Sequence, residues 1–288
     1  MIELNTRRED ITEIIKKEEL KSLKPENNYS IPSEVLKVTG EVHNTIYPKQ
    51  GRCSLVVILK AEHGEFALKV AKGNYRGQEL YREYNIVNKL RNTSVPVAEA
   101  VLFKKINNHY YYLSKYCEGE VLSSIFFNIN VKELRAYIIK QMAEQLRLLH
   151  NISIKKFDYS SIIDNQLYFA EKHFNNNTID IYDFIIDGVQ LKPKDELEWL
   201  KLNKPKEGSV TLIHGDYRPK NMIYKNNKVE AILDWAFCNI SDPYYDIVML
   251  YDYFNEEEIE FFNKCYGLNN ADKKRIEYQK RMIPFLNI

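Results

Sequence analysis

The sequence lacks the long apolar runs and the paired cysteines that would place it in a membrane or among disulfide-rich proteins. No stretch of its 288 residues approaches the roughly 18 consecutive apolar residues that a membrane-spanning helix requires. The N-terminal segment MIELNTRREDITEIIKKEEL is charged throughout and has no apolar core of the kind that a signal peptide carries. The four cysteines show no Cys-x-x-Cys spacing, which favours reduced, inert thiols over a zinc site or a disulfide framework. We therefore expect a cytoplasmic protein without membrane contacts.

An excess of charge of either sign is also absent. Forty-one Lys and Arg residues balance 40 Asp and Glu residues, for a formal net charge of +1. Without a global field, the charge gives no reason to expect a nucleic acid or a membrane as partner. With 44% hydrophobic residues, the chain can bury a sizeable core in one large domain or two lobes. Electrostatic recognition must therefore come from local clusters.

The first part of the chain is predicted to be rich in strands. A polar, weakly amphipathic helix over residues 8–23 comes first, and short β-branched or alternating runs follow it. The predicted strands are SEVLKVTGEV, SLVVILKA and EFALKV before the helix RGQELYREYNIVNKLRN, and two strands within AEAVLFKKINNHYYYLSKY after it. Gly64 supplies the hairpin turn between the second and third strands. The order β-β-β-α-β-β predicts a small antiparallel sheet with one helix.

The character of the sequence changes near residue 115. VKELRAYIIKQMAEQLRLLH has apolar residues four apart, which predicts a strong amphipathic helix, and mostly helical sequence runs from there to the end. Two polar stretches interrupt it, LIHGDYRPKNMIYKNNKVEAILDW and SDPYYD. The fold class is therefore predicted to be α+β, with one lobe at residues 1–115 and a larger helical lobe at residues 116–288.

The first interruption carries the side chains that indicate chemistry. Asp216 and Asn221 have the Asp-x4-Asn spacing of a kinase catalytic loop, in which the Asp accepts the proton of the attacking hydroxyl and the Asn helps to bind magnesium. Asp234 ends an apolar run after a turn, where a returning strand would bring its carboxylate beside Asn221. Oxygen ligands of this kind suit Mg²⁺. Taken singly, these residues are also typical of turns and helix caps, so the prediction depends on other groups elsewhere in the chain.

Phosphoryl transfer also needs positive charge on the phosphates. Lys69 in FALKV lies on a predicted strand, and Glu83 lies on the following helix, which is how kinases pair these two residue types. Glu79, one turn earlier on the same helix face, is the alternative partner. Arg218 and Lys220 lie beside Asp216 in sequence, where they would offset charge on the transferred phosphoryl group, and the alternative for either is a solvated surface position.

These motifs resemble a known family. HGDYRPKN, ILDW and SDPYYDI are similar to the His-Gly-Asp-x4-Asn, Ile-Asp-Trp/Phe and Asp-Pro-x-x-Asp-Leu motifs of the aminoglycoside phosphotransferase and choline kinase-like family of small-molecule kinases. With FALKV, YREYNIVNKL, YLSKYCEGEVL and LRLLH, the resemblance covers roughly residues 33–255. It implies a two-lobed protein-kinase-like fold and an enzyme that uses ATP, with GTP possible, and Mg²⁺.

The resemblance also implies a role for each matching residue. Asp216 would be the catalytic base or would orient the hydroxyl, and the metal would be held by Asn221 and Asp234. Lys69 would contact the α- and β-phosphates with Glu83 as its partner. The backbone of the hinge, at Ser114, Tyr116 and Cys117, would meet the adenine.

The sequence departs from the kinase pattern at two places. No Gly-x-Gly-x-x-Gly precedes Lys69, and the nearest candidate is KQGRCS, whose Gly51 and Ser54 would lie over the phosphates. Trp-Ala rather than Phe-Gly follows Asp234, and no Ala-Pro-Glu follows, which disfavours a protein kinase. Asp242 and Asp246 are interpreted as structural groups that cap the next helix and support the catalytic loop.

The acceptor is the least constrained part of the prediction. Residues 158–198 contain nine acids and three lysines, a local charge of −6 that favours a cationic acceptor such as an aminoglycoside. Acids on exposed helix faces are also ordinary, and the run from Glu256 to Glu260 is explained as a helix start. Choline, ethanolamine, homoserine, methylthioribose and a macrolide remain alternative acceptors, and a non-catalytic kinase-like nucleotide-binding module remains an alternative class. A monomer or a weak dimer is expected.

Overall fold

The computed structural model describes residues 31–48, 54–157, 162–186, 188–206, 208 and 210–286. The helix predicted over residues 8–23 and the loop residue Gly51 lie outside these ranges. Within them, none of the helices combines the length and the apolarity that crossing a membrane requires.

The secondary structure alternates between a strand-rich first part and a mainly helical second part. In chain order, the strands are β1 Val42–Ile46, β2 Leu55–Ala61, β3 Gly64–Lys72, β4 Ala100–Ile106, β5 His109–Lys115, β6 Glu120–Val121, β7 Ile185–Ile186, β8 Val189–Gln190, β9 Thr211–Ile213, β10 Met222–Lys225, β11 Lys228–Ile232 and β12 Asn239–Ser241. The α-helices are α1 Ser33–Thr39, α2 Asn74–Leu90, α3 Leu122–Phe126, α4 Lys132–His150, α5 Ile162–Asn175, α6 Pro193–Leu202, α7 Tyr244–Tyr251, α8 Glu256–Tyr266 and α9 Lys273–Leu286.

The chain divides into two compact units. The first takes in the residues up to Ser124 together with Asn221–Phe237, and the second takes in Ile125–Lys220 and the residues from Cys238 onward. The polypeptide therefore returns to the first unit between Lys220 and Asn221, inside the loop that the sequence analysis predicts to be catalytic.

The first unit is built on a five-stranded antiparallel sheet in the order β1-β2-β3-β5-β4. The apolar residues of β2, β3 and β5 alternate along their strands, so that Leu59, Leu68 and Leu113 are fully buried on one face. Helix α2 packs against the sheet through Leu80. The prediction of a small antiparallel sheet with one helix between its third and fourth strands is confirmed.

The strand predicted over Ser33–Val42 is wrong, because its first seven residues form helix α1. Val35 and Thr39, four residues apart, are both fully buried, which is the spacing of one helix face. The helix starts after Pro32 and ends at Gly40, whose φ of 70° no β-branched residue would adopt readily. In a run of seven residues, the apolar positions of a strand and those of a helix differ at few places. The pattern therefore did not distinguish a strand from a helix.

The returning segment forms the sheet β11-β10-β6. Asn226 and Asn227 turn the β10–β11 hairpin with φ values of 50° and 59°, the left-handed conformation that Asn tolerates best among non-glycine residues. Gly119 precedes β6 with a φ of 145°, and a Cβ there would lie 2.7 Å from both Ile223 and the carbonyl oxygen of Tyr224. A glycine is therefore required where β6 meets β10.

The second unit is mainly helical. Helix α4 appears where the sequence predicts it and buries Ile138, Met142 and Leu146. Helices α5, α6 and α9 close around a cluster that includes Phe184, Leu200 and Tyr278. Strands β9 and β12 form a short antiparallel pair. The α+β prediction is therefore confirmed.

The acidic run Glu256–Glu260 starts helix α8, as the sequence analysis expects. Asn255 is the N-cap and accepts from the backbone N–H of Glu258, while the Glu258 side chain accepts from the backbone N–H of Asn255. This reciprocal capping box, together with the favourable position of acids in the first turn, explains the run without assigning it to a binding site.

We expect the variant Gly77→Ala to be destabilised. A Cβ at Gly77 on α2 would lie 2.3 Å from ring atoms of Tyr110, and the hydroxyl of that ring donates to Asn74 at 2.5 Å. Overpacking of this kind costs about 1–3 kcal/mol, more than the gain in helix propensity from Gly to Ala. Urea denaturation measures the free energy of unfolding. Gln78→Ala, at the exposed neighbouring position, is the control, and a Gly77→Ala protein as stable as that control would contradict the packing argument.

Candidate active site

An ion pair joins strand β3 to helix α2 in the first unit. The ammonium of Lys69 donates to both carboxylate oxygens of Glu83, at 2.7 and 2.9 Å, and lies 3.6 Å from Oδ1 of Asp234. Glu83 is only 3% exposed. Glu79, the alternative partner, instead accepts from Arg76 at 2.7 Å. The structure therefore brings Lys69, Glu83 and Asp234 together and assigns Glu79 to a different pair.

Burial and charge act in opposite directions on this pair. Burial lowers the pKa of Lys69, but Glu83 and Asp234 raise it by more, so the pKa lies above its ordinary value. Burial raises the pKa of Glu83, and the attraction of Lys69 opposes that rise. Lys69 is consequently a fixed positive charge at neutral pH, held on one side by Glu83.

Asn221 and Asp234 lie at the same end of the β10–β11 hairpin. Met222 pairs with Ile232 across the hairpin, and the N–H of Leu233 donates to the carbonyl oxygen of Asn221 at 2.8 Å. The returning strand therefore places the two predicted metal ligands next to each other along the backbone.

Asp234 has an unusual backbone conformation. Its φ is 64°, whereas the other non-glycine residues of positive φ in the described chain are asparagines, at positions 107, 177, 226 and 227. Asp and Asn adopt the left-handed conformation more readily than other non-glycine residues, and at Asp234 neighbouring contacts hold that conformation in place. Here the indole of Trp235 donates to the carbonyl of Ile232 at 2.8 Å, and Arg82 donates to the carbonyl of Ala236 at 3.1 Å. These contacts fix the chain on both sides of Asp234.

The donor set fits Mg²⁺ and does not fit zinc. Among the described residues, no group of three or more His, Cys, Asp or Glu side chains could hold a metal ion. One carboxylate and one amide oxygen are what Mg²⁺ takes from a protein when phosphate oxygens and water complete its shell. The side chain of Asp234 is 46% exposed and open to such a ligand.

In the second unit, Asp216 lies between two cations. Oδ1 of Asp216 is 3.2 Å from Nε of Arg218, and Oδ2 is 2.8 Å from the ammonium of Lys220. The side chain of Asp216 is 13% exposed and that of Lys220 is 49% exposed. Three of the four residues that the sequence analysis selects from this loop therefore form one group, and the fourth, Asn221, lies on the returning hairpin.

A buried carboxylate holds the backbone directly before Asp216. Oδ2 of Asp246 accepts from the N–H of His214 at 2.7 Å, and Oδ1 accepts from the N–H of Gly215 at 2.9 Å. Asp242 accepts from the N–H of Tyr244 at 2.9 Å, at the start of α7. The structural interpretation of Asp242 and Asp246 is confirmed.

Sequence reasoning missed His150. Its Nε2 lies 3.2 Å from Oδ2 of Asp246, and its Nδ1 lies 2.8 Å from the hydroxyl of Tyr266. The residue is the last of α4 and is 6% exposed. The sequence signals are a polar residue at the end of an apolar helix face and the segment LRLLH, and neither reveals the partners of the imidazole.

The residues predicted to meet the nucleotide base lie at the end of β5. Ser114 is 8% exposed and belongs to that strand. The N–H of Tyr116 donates to the carbonyl of Glu65 at 3.1 Å, whereas the backbone of Cys117 makes no hydrogen bond to the part of the chain that the structure describes. Burial raises the pKa of the Cys117 thiol. Ser54 directly precedes β2.

The acidic segment is less negative in the structure than along the sequence. Glu171 pairs with Lys201 and Glu196 pairs with Arg281, each at 2.6 Å, and both cations lie outside residues 158–198. Exposed acids of the described segment are Asp183, Asp195 and Glu198. The local field that favours a cationic acceptor is therefore reduced.

Comparison with known proteins identifies relatives of the whole arrangement. The model of the phosphotransferase enzyme family matches residues 48–271. An aminoglycoside 3'-phosphotransferase of Staphylococcus aureus is 25% identical over 255 residues, which cover 85% of this chain and 95% of that protein. An aminoglycoside 3'-phosphotransferase of Niallia circulans is 25% identical over 160 residues, and there the match spans 54% of this chain and 61% of the relative.

A solved structure shares the fold. Aminoglycoside phosphotransferase APH(3'')-Id from Streptomyces rimosus, in complex with ADP and streptomycin, superposes with a TM-score of 0.67 over 88% of this chain and 96% of that chain, at 15% identity. The predicted kinase-like fold is therefore confirmed. Because the family model also spans most of the sequence, including every residue of the two groups described above, the chain belongs to the phosphotransferase enzyme family.

Proposed function

We propose that this enzyme transfers the γ-phosphoryl group of ATP, in the presence of Mg²⁺, to a hydroxyl of an aminoglycoside. The observation that carries the proposal is the buried Lys69–Glu83 pair with Asp234 at 3.6 Å from the same ammonium. The family relatives that bear the name aminoglycoside 3'-phosphotransferase support the acceptor. The solved neighbour with ADP and streptomycin supports the pairing of a nucleotide with such an acceptor.

In this proposal residues 1–115 and the returning hairpin bind the nucleotide. Lys69 donates to the α- and β-phosphates, and Glu83 holds the ammonium in position for them. Ser54 lies over the phosphates, and the backbone at Ser114, Tyr116 and Cys117 meets the adenine. The N–H of Tyr116 already has a partner in Glu65, so its carbonyl and the backbone of Cys117 are the groups open to the base.

Asn221 and Asp234 would hold Mg²⁺, which when bound supplies positive charge to the phosphates. The backbone contacts on both sides of Asp234 fit that role, since a carboxylate held in place needs little reorganisation when the nucleotide binds. Phosphates and the Asp234 carboxylate repel each other because both are negative. The positive charge of Lys69 beside Asp234 reduces that repulsion.

The second unit supplies the groups that act on the acceptor. Asp216 accepts the proton of the attacking hydroxyl, or orients that hydroxyl, and Arg218 and Lys220 offset negative charge on the transferred group. Asp246 keeps the backbone of His214 and Gly215 in place, so that Asp216 does not have to be ordered when the acceptor binds.

The reaction itself can be tested with a panel of acceptors. We expect ADP release from ATP and Mg²⁺ to be stimulated by kanamycin or streptomycin, and mass spectrometry to find the acceptor enlarged by one phosphoryl group. Choline, ethanolamine, homoserine, methylthioribose and a macrolide form the comparison set, and GTP is tested beside ATP. If only one of these compounds stimulates ADP release, that compound would replace the aminoglycoside as the proposed acceptor. No stimulation by any of them, together with nucleotide binding that does not depend on Mg²⁺, would favour a non-catalytic module.

Asp216→Asn should lower kcat by roughly two to four orders of magnitude, the usual contribution of a general base. The affinity for ATP should not change, because Asp216 makes no phosphate contact in the proposed mechanism. Steady-state kinetics and nucleotide titration measure the two effects. Asp272→Asn, at an exposed cap of helix α9, is the control, and full activity of Asp216→Asn would exclude the assigned role.

Glu83→Gln should weaken ATP binding by about tenfold or more, since a hydrogen bond to a charged group contributes at least about 1.4 kcal/mol. Lys69 would then be drawn toward Asp234. Glu79→Gln is a matched control, because it removes an acid of similar burial from the same helix face but breaks the pair with Arg76. Isothermal titration with ATP and Mg²⁺ distinguishes the two variants, and equal affinities would contradict the role of Glu83.

A further inference from the structure

Two aromatic side chains form an open face in the second unit. Phe127 directly follows α3 and is 60% exposed, and Tyr253 follows α7 and is half-buried. Their ring centroids lie 5.7 Å apart with an angle of 32° between the planes. Single exposed apolar side chains are ordinary, but paired rings make a continuous apolar face. We call these two residues the aromatic platform.

The platform is held by one arginine. Nη1 of Arg135 donates to the carbonyl oxygen of Phe126 at 2.9 Å, and Nη2 donates to the carbonyl oxygen of Tyr253 at 3.0 Å. The same guanidinium is bonded to the carboxylate of Glu258, the residue that closes the capping box of α8. Arg135 therefore ties together the two turns that carry the rings, and Glu258 balances its charge.

The platform rests on the buried core. The ring of Phe126 is fully buried and lies 6.1 Å from the ring of Phe127 and 6.0 Å from that of Phe254. The guanidinium of Arg135 lies 4.1 Å above the same ring. Aromatic neighbours and the arginine therefore support the platform on its buried side, which reduces the ordering that ligand binding would require.

Helix α7 connects the platform to the loop that carries Asp216. Asp246 on that helix accepts from the backbone N–H groups of His214 and Gly215, directly before Asp216. Tyr253 follows the end of the same helix.

Burial raises the pKa of the Tyr253 phenol, Arg218 lowers it, and Asp216 and Asp252 raise it. The phenol is therefore within electrostatic reach of both Asp216 and Arg218. Its hydroxyl makes no hydrogen bond to any residue that the structure describes, so it can meet a polar group of a ligand. Asp252, the next residue back along the chain, is exposed.

We propose that the platform of Phe127 and Tyr253 is the subsite on which the phosphorylated ring of the acceptor packs. A saturated ring that bears hydroxyl and ammonium groups presents C–H bonds on one face, which pack on aromatic rings, and its positive charge is attracted to their π-electrons. Asp252, which precedes Tyr253 in the chain and raises the pKa of its phenol, adds a negative charge near that ring. The inference rests on the proposed function and identifies which part of the acceptor is recognised, namely a cationic saturated ring.

The test replaces each ring in the full-length protein. Phe127→Ala and Tyr253→Ala should raise the KM for kanamycin by about tenfold, the factor that corresponds to a cation–π contact of about 1.4 kcal/mol, while the KM for ATP does not change. Tyr253→Phe and Phe127→Tyr, which keep the rings, should retain most of the affinity. Tyr182→Ala removes an aromatic side chain that is 79% exposed and outside the platform, and serves as the control.

A binding measurement separates this inference from the proposed reaction. Isothermal titration of the wild type and the platform variants with kanamycin, without nucleotide, needs no turnover. Binding that depends on the platform without phosphoryl transfer would support the subsite and refute the proposed function. Turnover with unchanged KM and Kd in folded Phe127→Ala and Tyr253→Ala proteins would overturn the subsite alone. A wild type that neither binds nor phosphorylates kanamycin would overturn both. Phe127→Leu and Tyr253→Leu, which preserve apolar packing, are expected to lose the same affinity and replace any alanine variant that fails to fold.

Discussion

The ion pair between Lys69 and Glu83 is the interaction on which the first unit depends. A buried ammonium is costly unless an acid meets it with good geometry, and Glu83 supplies two hydrogen bonds from a helix that packs on the sheet. The pair therefore fixes the position of α2 relative to β3, and it also creates a permanent cation beside Asp234. The same contact that satisfies the buried ammonium also fixes the cation that is proposed to meet the phosphates.

A buried carboxylate does the equivalent work in the second unit. Asp246 is fully buried, and it is stabilised by the backbone N–H groups of His214 and Gly215 and by His150. Ionised groups of this kind persist in a protein interior only when hydrogen-bonded. The hydrogen bonds to the loop offset the cost of burying the Asp246 carboxylate, and that loop presents Asp216. In each unit, the hydrogen bonds that satisfy a buried charged group also position a side chain that is proposed to take part in the reaction.

Phosphoryl transfer and acceptor recognition are assigned to different sets of side chains. The groups proposed to transfer the phosphoryl group come from strand ends and from a loop held by buried polar contacts. The platform proposed to recognise the acceptor is made of exposed rings on two turns, which Arg135 joins. Neither ring satisfies a buried charge, so a substitution in the platform would leave the buried polar contacts of the proposed transfer site intact.

The sequence by itself predicted the reaction type and most of the elements. The period of α4 is a local property of the chain, whereas the reaction type needed Lys69 and Glu83 in addition to the spacing of Asp216, Asn221 and Asp234. The sequence misplaced the first strand, since Ser33–Thr39 is too short for its pattern to distinguish a helix from a strand. Only the tertiary structure decided that Glu83 rather than Glu79 meets Lys69, that His150 supports Asp246, and that Arg135 bonds to the backbone of both Phe126 and Tyr253. Those contacts bring together residues far apart in the sequence, and which partner each side chain meets depends on burial and packing that no local pattern encodes.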